Sequence, residues 1–250
     1  MAFGAFVIGD EILLGKRQDK HLGFLAGALA KRGLRLAWCQ YLGDDPVRLT
    51  AALRVSFASG DIVFSFGGIG ATPDDHTRQC AAAALGVPLV LHPEAEREIR
   101  GRFGTQTTPQ RLKMGEFPAG AEIIPNPFNR IPGFAIRAHW FVPGFPQMAW
   151  PMVEWVLDTK YRHLADRDRW AEASVIVYGL AESEIAPLME QVNARYPGVK
   201  AFSLPSMEED GSRRHIELGV RGAPSEVGPA IEDIRRGVVA LGGSLSAAER

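Results

Sequence analysis

Ile62-Val63-Phe64-Ser65-Phe66-Gly67-Gly68-Ile69-Gly70-Ala71-Thr72-Pro73-Asp74-Asp75 is the stretch that decides the fold of this chain. Its first five residues read as a short strand, mostly apolar and so buried on both faces. The strand runs straight into a turn with three glycines, and a helix is expected from about Pro73 to Leu85. The same order stands upstream. Ala5 to Ile8 reads as a buried strand ending at Gly9, and Leu22, Leu25 and Leu29 recur at helical spacing until Gly33. Leu34 to Tyr41 reads as a second strand. Asp45-Pro46 then supplies an N-cap and a first-position proline for a helix through Ala58. Strands alternating with helices in this way predict an α/β fold, with a mostly parallel sheet covered by helices on both faces.

Beyond that unit, His92-Pro93-Glu94 opens a charged helix to about Phe103, and Pro109 to Glu116 reads as another. Glu122 to Ile124 and Phe134 to Val142 read as strands, and Pro146 to Leu157 as a helix. Asp158 to Arg169 is charged with little apolar periodicity, which places a domain boundary there. The rest reads β-α-β-β-α, with strands near Ser174–Tyr178, Val199–Leu204 and Arg214–Val220 and helices from about Ser183 to Arg195 and Ser225 to Leu241. The division expected is a first domain over 1–165 and a small α+β domain over 170–245. Charge changes across it: residues 1–165 carry 18 basic and 15 acidic side chains, residues 166–250 carry 10 and 14.

The chain has 250 residues, 46% apolar and 23% charged, enough for a sizeable core. Lys plus Arg number 28 against 29 for Asp plus Glu, a balance that argues against a nucleic-acid coat or a polybasic membrane binder. Cys39 and Cys80 are the two cysteines, too few for a disulfide scaffold or a four-cysteine zinc site. The N-terminus lacks the basic region of a signal peptide, and no apolar run approaches the ~18 residues of a membrane span. A soluble, cytoplasmic protein is expected.

In an open parallel sheet, ligands bind beyond the carboxyl ends of the strands. Three strands here end in Gly9-Asp10-Glu11, in Gly43-Asp44-Asp45 and in Gly67 to Asp75, and neighbouring strands would bring these turns to one rim. Glycines let backbone N–H groups approach a phosphate, and a helix opening near Pro73 adds positive dipole. Carboxylates beside a phosphate repel it unless a hard cation lies between, so Asp10, Asp44, Asp74 and Asp75 suggest Mg²⁺ or another divalent ion held partly by substrate oxygens. A plainly structural reading stands beside this one. Asp45 serves as a cap, and Thr72-Pro73-Asp74-Asp75 reads equally as a cap, a first-turn proline and two acids favoured by the helix dipole. The turn is neither a Walker loop nor a GxGxxG dinucleotide fingerprint.

Other candidates carry less. Pro143-Gly144-Phe145-Pro146 reads as a pocket wall or as a tight turn. Arg111, Lys113 and Arg130 are phosphate contacts or solvated surface, and Trp150 and Trp155 read as core or subunit interface. His21 and His76 have no partner at zinc-ligand spacing. No nucleophile elbow or Cys/His pair supports hydrolase chemistry of that kind.

Gly9-Asp10-Glu11-Ile12-Leu13-Leu14-Gly15, Gly43-Asp44-Asp45-Pro46, Gly67 through Thr77 and Val142-Pro143-Gly144-Phe145-Pro146 fall in the order seen in the competence/damage-inducible protein A (CinA) family. Residues 4–160 resemble its N-terminal domain, which is similar to the molybdopterin-binding domains of MoaB, MogA and MoeA. Gly179-Leu180-Ala181-Glu182-Ser183 resembles the start of its small KH-like middle domain. The resemblance implies a three-layer α/β/α domain that binds a phosphorylated pterin or nucleotide. In the molybdopterin proteins, acids matching Asp44 or Asp45 and Asp75 act at the catalytic rim, and the turn matching Gly67–Gly70 lines the phosphate pocket. The expectation is that Gly67, Gly68, Gly70, Thr72, Asp74 and Thr77 contact the ligand with Pro143 and Gly144, and that Asp75, Asp44 and Asp10 are catalytic and hold the metal.

CinA-type domains are associated with metal-dependent hydrolysis of ADP-ribose at its pyrophosphate. Longer members also carry a nicotinamide mononucleotide deamidase domain, for which a chain ending at Arg250 has no room. The sequence departs from the family pattern at three places: Ala71 replaces a proline, His21 an asparagine, and Met148 an acid. The last two bear on hydrolysis more than on binding. The KH-like segment lacks a GXXG loop and is net acidic, so no nucleic-acid partner is expected. The expectation is therefore a ligand-binding domain with a divalent cation in a homo-oligomer, hydrolysing a pyrophosphate if it is an enzyme. The rivals are an enzyme of molybdenum-cofactor assembly and a non-catalytic binding module in which the small domain serves dimerisation.

Overall fold

Phe3–Ile8 (β1) is buried along its whole length, and its side chains alternate between two hydrophobic layers. Phe3, Ala5 and Val7 pack with Leu25 and Leu29 of α2 (His21–Ala30) and with Met152 and Val156 of α7 (Pro146–Lys160). Phe6 and Ile8 face the other way, onto Leu49 and Leu53 of α3 (Pro46–Ser59) and Ala81 of α4 (Thr77–Leu85). This period of two, with a helical layer on each side, is why the central strands carry almost no polar residues. Each fully buried Phe or Leu contributes about 1.5–3 kcal/mol of transfer free energy.

The computed structural model describes residues 1–165, 170–207 and 214–247. The chain divides into two compact units, Met1–Ala165 and Asp166–Arg250. In the first, β1 is followed by a single helical turn α1 (Asp10–Leu13), α2, β2 (Leu36–Leu42), α3, β3 (Ile62–Phe66) and α4. Next come β4 (Leu89–Leu91), α5 (Pro93–Phe103), α6 (Pro109–Leu112) and β5 (Glu116–Pro118), then β6 (Glu122–Ile124), β7 (Gly133–Ile136), β8 (His139–Val142) and α7. The main sheet has the order β2-β1-β3-β8-β7-β6. Its first four strands are mutually parallel, with β7 antiparallel to β8 and β6 antiparallel to β7; β4 and β5 form a separate antiparallel pair. The expected α/β class with a mostly parallel sheet is the fold observed.

Local signals explain several elements. The Asp45 carboxylate accepts from the amides of Val47 and Arg48, capping α3 with Pro46 at its first position. His92 caps α5 through its ring nitrogen. Arg32, beyond α2, reaches across to Glu154 and Asp158 of α7 and ties the two helices together.

Four expectations change. The helix after the glycine-rich turn begins at Thr77 and not near Pro73. Asp75 turns back on Thr72, its amide donating to the Thr72 carbonyl and its carboxylate accepting from the Thr72 amide at 2.8 Å and from the hydroxyl. Such side-chain bonds offer the backbone an alternative to helix. Phe134–Val142 is a hairpin, not one strand, because Arg137 takes a left-handed φ of 54° between β7 and β8. Pro109–Glu116 yields only the short α6, a 3₁₀ turn over Lys113–Gly115, and the start of β5. In the expected linker Asp158–Arg169, α7 runs on to Lys160 and a 3₁₀ turn spans Arg162–Leu164, while 166–169 lie outside the described residues.

The second unit holds β9 (Ala171–Tyr178), α8 (Glu182–Arg195), β10 (Val199–Met207), β11 (Arg214–Gly222), α9 (Pro224–Ala240) and β12 (Ser244–Ala247). The sheet order is β10-β11-β9-β12 with every pair antiparallel. Val175, Val177, Leu218 and Val220 pack under Ile185 of α8 and Ile231 and Ile234 of α9. The fourth strand, β12, has no counterpart in the sequence reading. Its short segment gains its place only by pairing with β9.

Candidate functional site

Because β1, β2, β3 and β8 are parallel neighbours, the turns that leave them end on one rim. They enclose a cavity of about 430 Å³ in the first unit. Gly67, Gly68, Gly70 and Thr72 line it, with Pro143 and Gly144 on the turn after β8. The sequence placed all six here.

The glycine-rich turn is held by packing as well as by conformation. Gly67 has φ 100°, and a Cβ there would lie 2.3 Å from the Ile8 carbonyl oxygen. A Cβ on Gly68, at φ 68°, would lie 2.2 Å from the Thr77 hydroxyl oxygen. The Thr77 hydroxyl donates to the Gly67 carbonyl at 3.0 Å, and the Thr77 amide donates to the Gly68 carbonyl at 3.0 Å. Thr77 is fully buried and does not line the cavity, so it braces the turn from behind, whereas the sequence reading had it touching the ligand.

Glu11, Asp44, Asp74 and Asp75 line the cavity, and Arg17 is the cationic side chain among its lining residues. Asp10 stands outside that lining. Its amide donates to Asp44 Oδ2 at 2.9 Å, and its Oδ1 accepts from the Asp44 amide at 3.1 Å. Burial, together with the charges of Asp10, Glu11 and Asp74, raises the Asp44 carboxyl above the usual carboxylate range, although the Asp10 amide opposes this. Among the described residues no three His, Cys, Asp or Glu side chains converge to hold a metal ion. The rim therefore does not fit a resident metal centre built from protein ligands. Its open carboxylates suit instead a hard cation that keeps most of its shell on water and substrate oxygens.

Apolar side chains complete the lining, with Met114, Ile131, Pro132, Phe145 and Met148. Two asparagines join it that the sequence reading did not single out. Asn126, buried, donates to Asn129 Oδ1 at 2.8 Å and to the Ile131 carbonyl at 2.9 Å, and accepts from the Phe128 amide at 3.0 Å. This knits the loop 125–132 into a wall. The Asn129 amide nitrogen faces the Met148 sulfur at 3.0 Å. The available signal was Pro125-Asn126-Pro127, since asparagine in such a setting folds its side chain onto the following backbone.

His21 reaches the rim from α2. Its ring stacks on Phe66 at 4.4 Å, and Nε2 donates to the Gly144 carbonyl at 3.1 Å. A carbonyl only accepts, so Nε2 carries the proton. Burial lowers the His21 pKa, which favours the neutral ring. His21 therefore positions the Pro143-Gly144 turn without lining the cavity itself. Of the other basic candidates, Arg130 pairs with Glu98 at 3.0 Å and Arg111 lies over the Phe103 ring at 4.1 Å; neither lines this cavity. Trp150 stacks on Phe24 at 4.6 Å, and both Trp150 and Trp155 pack against the hydrophobic core.

Residues 4–163 match the family described as a probable molybdopterin binding domain. The chain belongs to this family. Within it, the chain is similar to a CinA-like protein of Anaeromyxobacter sp., 32% identical over 93% of this chain and 62% of that protein. A CinA-like protein of Geobacter metallireducens is 34% identical over 77% of this chain and 48% of its own length. The chain thus spans about half to three fifths of these CinA-like relatives. A protein of Aeropyrum pernix is 30% identical over 96% of this chain and 94% of its own. The crystal structure of CinA from Thermoplasma acidophilum, a protein of unknown function, covers 63% of this chain and 98% of its own, with 28% identity and a TM-score of 0.58. The four ordered motifs and these relatives identify the first unit as a CinA-family N-terminal domain. Among the described residues, no helix of this molybdopterin-binding-domain protein is long and apolar enough to cross a membrane.

Proposed function

We propose that the rim cavity binds a phosphorylated pterin or nucleotide together with a divalent cation, and that it hydrolyses a nucleotide pyrophosphate such as ADP-ribose. The observation that carries this reading is the mixed lining of one cavity, which combines glycine backbone and four carboxylates with apolar side chains and an asparagine-braced loop. The apolar lining suits a planar ring, and the glycine backbone suits a phosphate chain provided a cation offsets the acids. Asp44 and Asp75 are the residues to hold that cation, with Asp74 beside them, and Asp10 positions Asp44. Backbone N–H groups of Gly68, Ile69 and Gly70 serve the phosphate, since the Gly67 N–H is donated to the Val142 carbonyl, and the Thr72 hydroxyl joins them on turning away from Asp75. The bound cation would supply charge neutralisation at the phosphorus. In the reaction, water adds to one phosphorus and the bridging P–O bond breaks, giving AMP and ribose 5-phosphate from ADP-ribose.

The test is chromatography of products after incubation of the full chain with ADP-ribose and Mg²⁺, Mn²⁺ or Co²⁺, with Asp75→Asn as control. AMP that appears only with wild type and metal supports the reading. AMP formation by Asp75→Asn at the wild-type rate would overturn the assignment of Asp75. A second reading, ligand binding without turnover, is favoured by Met148, whose thioether stands where the family resemblance places an acid. Retained ADP-ribose binding with no AMP under any of the metals would select it. Handling of molybdopterin remains the reading if a fluorescent pterin copurifies and no pyrophosphate is cleaved. We also propose that the chain works as a homo-oligomer whose second unit serves subunit contact, which sedimentation of the full chain tests.

A further inference from the structure

A second cavity, of about 380 Å³, shares the Ala71–Thr72 backbone segment with the acid-lined one but differs in its charge. It is lined by Thr72, His76, Arg78, Gln79, Gln110 and Lys113, with Ala71 and Pro73, and none of its lining residues is acidic. Three basic residues and two carboxamides therefore converge from the start of α4, from α6 and from the turn after it.

Arg78 is the centre of this arrangement. It is 2% exposed, and its guanidinium donates to the Gly70 carbonyl at 2.6 Å, to the Glu116 carbonyl at 3.3 Å and to the Lys113 carbonyl. All three are neutral acceptors, and Arg78 Nε has no hydrogen-bond partner. The nearest opposing charges are Glu116 and Asp75, neither of which lines this cavity. A buried cation whose direct hydrogen bonds all go to neutral carbonyls, with Glu116 and Asp75 acting on it only through space, still attracts an anion. The start of α4 adds to the field, for His76 at its N-cap makes no side-chain cap bond and the helix has no acid in its first turn. On the acid-lined side an anion needs a cation; here it does not.

We propose that this second cavity is an oxyanion subsite that takes a phosphate group without metal, between Lys113, His76 and the start of α4 and in the field of Arg78. The inference does not depend on the reading of the larger cavity. The phosphate comes either from free inorganic phosphate or from a ligand whose remainder lies in the larger cavity.

Isothermal titration of the full chain with inorganic phosphate at low ionic strength, with EDTA present, tests it. Saturable binding is expected, weakened at least tenfold by Lys113→Glu and restored by Lys113→Arg. Lys113 is exposed and its role in holding Arg78 is through its backbone carbonyl, so these variants keep the fold; thermal melting of each checks that. No saturable binding, or binding indifferent to Lys113→Glu, would overturn the proposal. A repeat titration with ADP-ribose present assigns the source. Competition identifies the ligand's own phosphate, and independent binding identifies free phosphate; each upholds the subsite. Failure of ADP-ribose cleavage leaves this result untouched.

Discussion

Asp10 and Asp44 hold each other's backbone: the Asp10 amide donates to the Asp44 carboxylate at 2.9 Å, and the Asp44 amide donates to the Asp10 carboxylate at 3.1 Å. Each acid thereby spends one oxygen on the turn of its neighbour, locking the ends of β1 and β2 in register. The pair also brings two negative charges together, and Asp44 has its carboxyl raised by burial first and by the nearby acids after that. A carboxyl raised on folding lends stability that is full below the ordinary carboxylate pKa and is lost as pH rises through the elevated value. Asp44→Asn keeps an acceptor for the Asp10 amide while removing the charge. It should melt higher than wild type at pH 7 and show a flatter melting-temperature profile across the carboxylate range. Asp44→Ala removes the acceptor and should lose about 1 kcal/mol in urea titration.

The brace behind the glycine-rich turn gives a second test. Thr77→Val deletes the donor to a buried carbonyl, that of Gly67, with little change of shape. A loss of about 1–3 kcal/mol in denaturant unfolding is expected. Gly67→Ala should cost at least as much, since its Cβ would meet the Ile8 carbonyl oxygen at 2.3 Å in a left-handed conformation. Binding of ADP-ribose should weaken in both variants, because the same backbone is the part of the cavity proposed to hold the phosphate.

Met148 offers a third. Its sulfur is a weak acceptor for the Asn129 amide nitrogen, 3.0 Å away. Met148→Glu would give Asn129 a strong acceptor and add a carboxylate to the cavity. This variant is expected to gain or increase metal-dependent AMP release from ADP-ribose by tenfold or more. Unchanged turnover with a properly folded variant would remove Met148 from the account of activity.

A fourth concerns pH and lies away from the site. His139 is 2% exposed, with Nε2 at 2.7 Å from the Ser56 hydroxyl oxygen. Burial, helped by the Arg137 charge, pushes it down to about 4. A histidine lowered on folding lends stability that is full above its ordinary pKa near 6.5 and is lost as pH falls towards 4. Chemical unfolding should therefore show stability falling by roughly 3 kcal/mol over that interval. His139→Gln should abolish most of this slope.

The fold was legible because its signals were local or periodic. Asp45-Pro46 and His92-Pro93 announce helix starts by their own chemistry, and Ile62–Phe66 is too apolar for anything but a buried strand. The Arg137 hairpin was not legible. Its left-handed residue is an arginine, without the glycine or asparagine that ordinarily marks such a turn. The loop 125–132 was missed for a related reason: Asn126 becomes a wall of the cavity only when its side chain binds Asn129, Phe128 and Ile131.

By itself, the sequence determined the alternation of strands and helices, the three glycine- and acid-bearing turns that neighbouring parallel strands would bring to one rim, and the residue types available there. Those follow from periodicity and from the topology of parallel strands. Only the tertiary structure decided which atoms face the ligand. Asp10 and Thr77 turn into bracing groups because they partner the backbone of turns that lie elsewhere in the chain, an exposed amide at Asp44 and a buried carbonyl at Gly67. Likewise, Arg78 and Lys113 meet across 35 residues only because α4 packs beside the turn after α6, placing a basic cavity beside an acidic one.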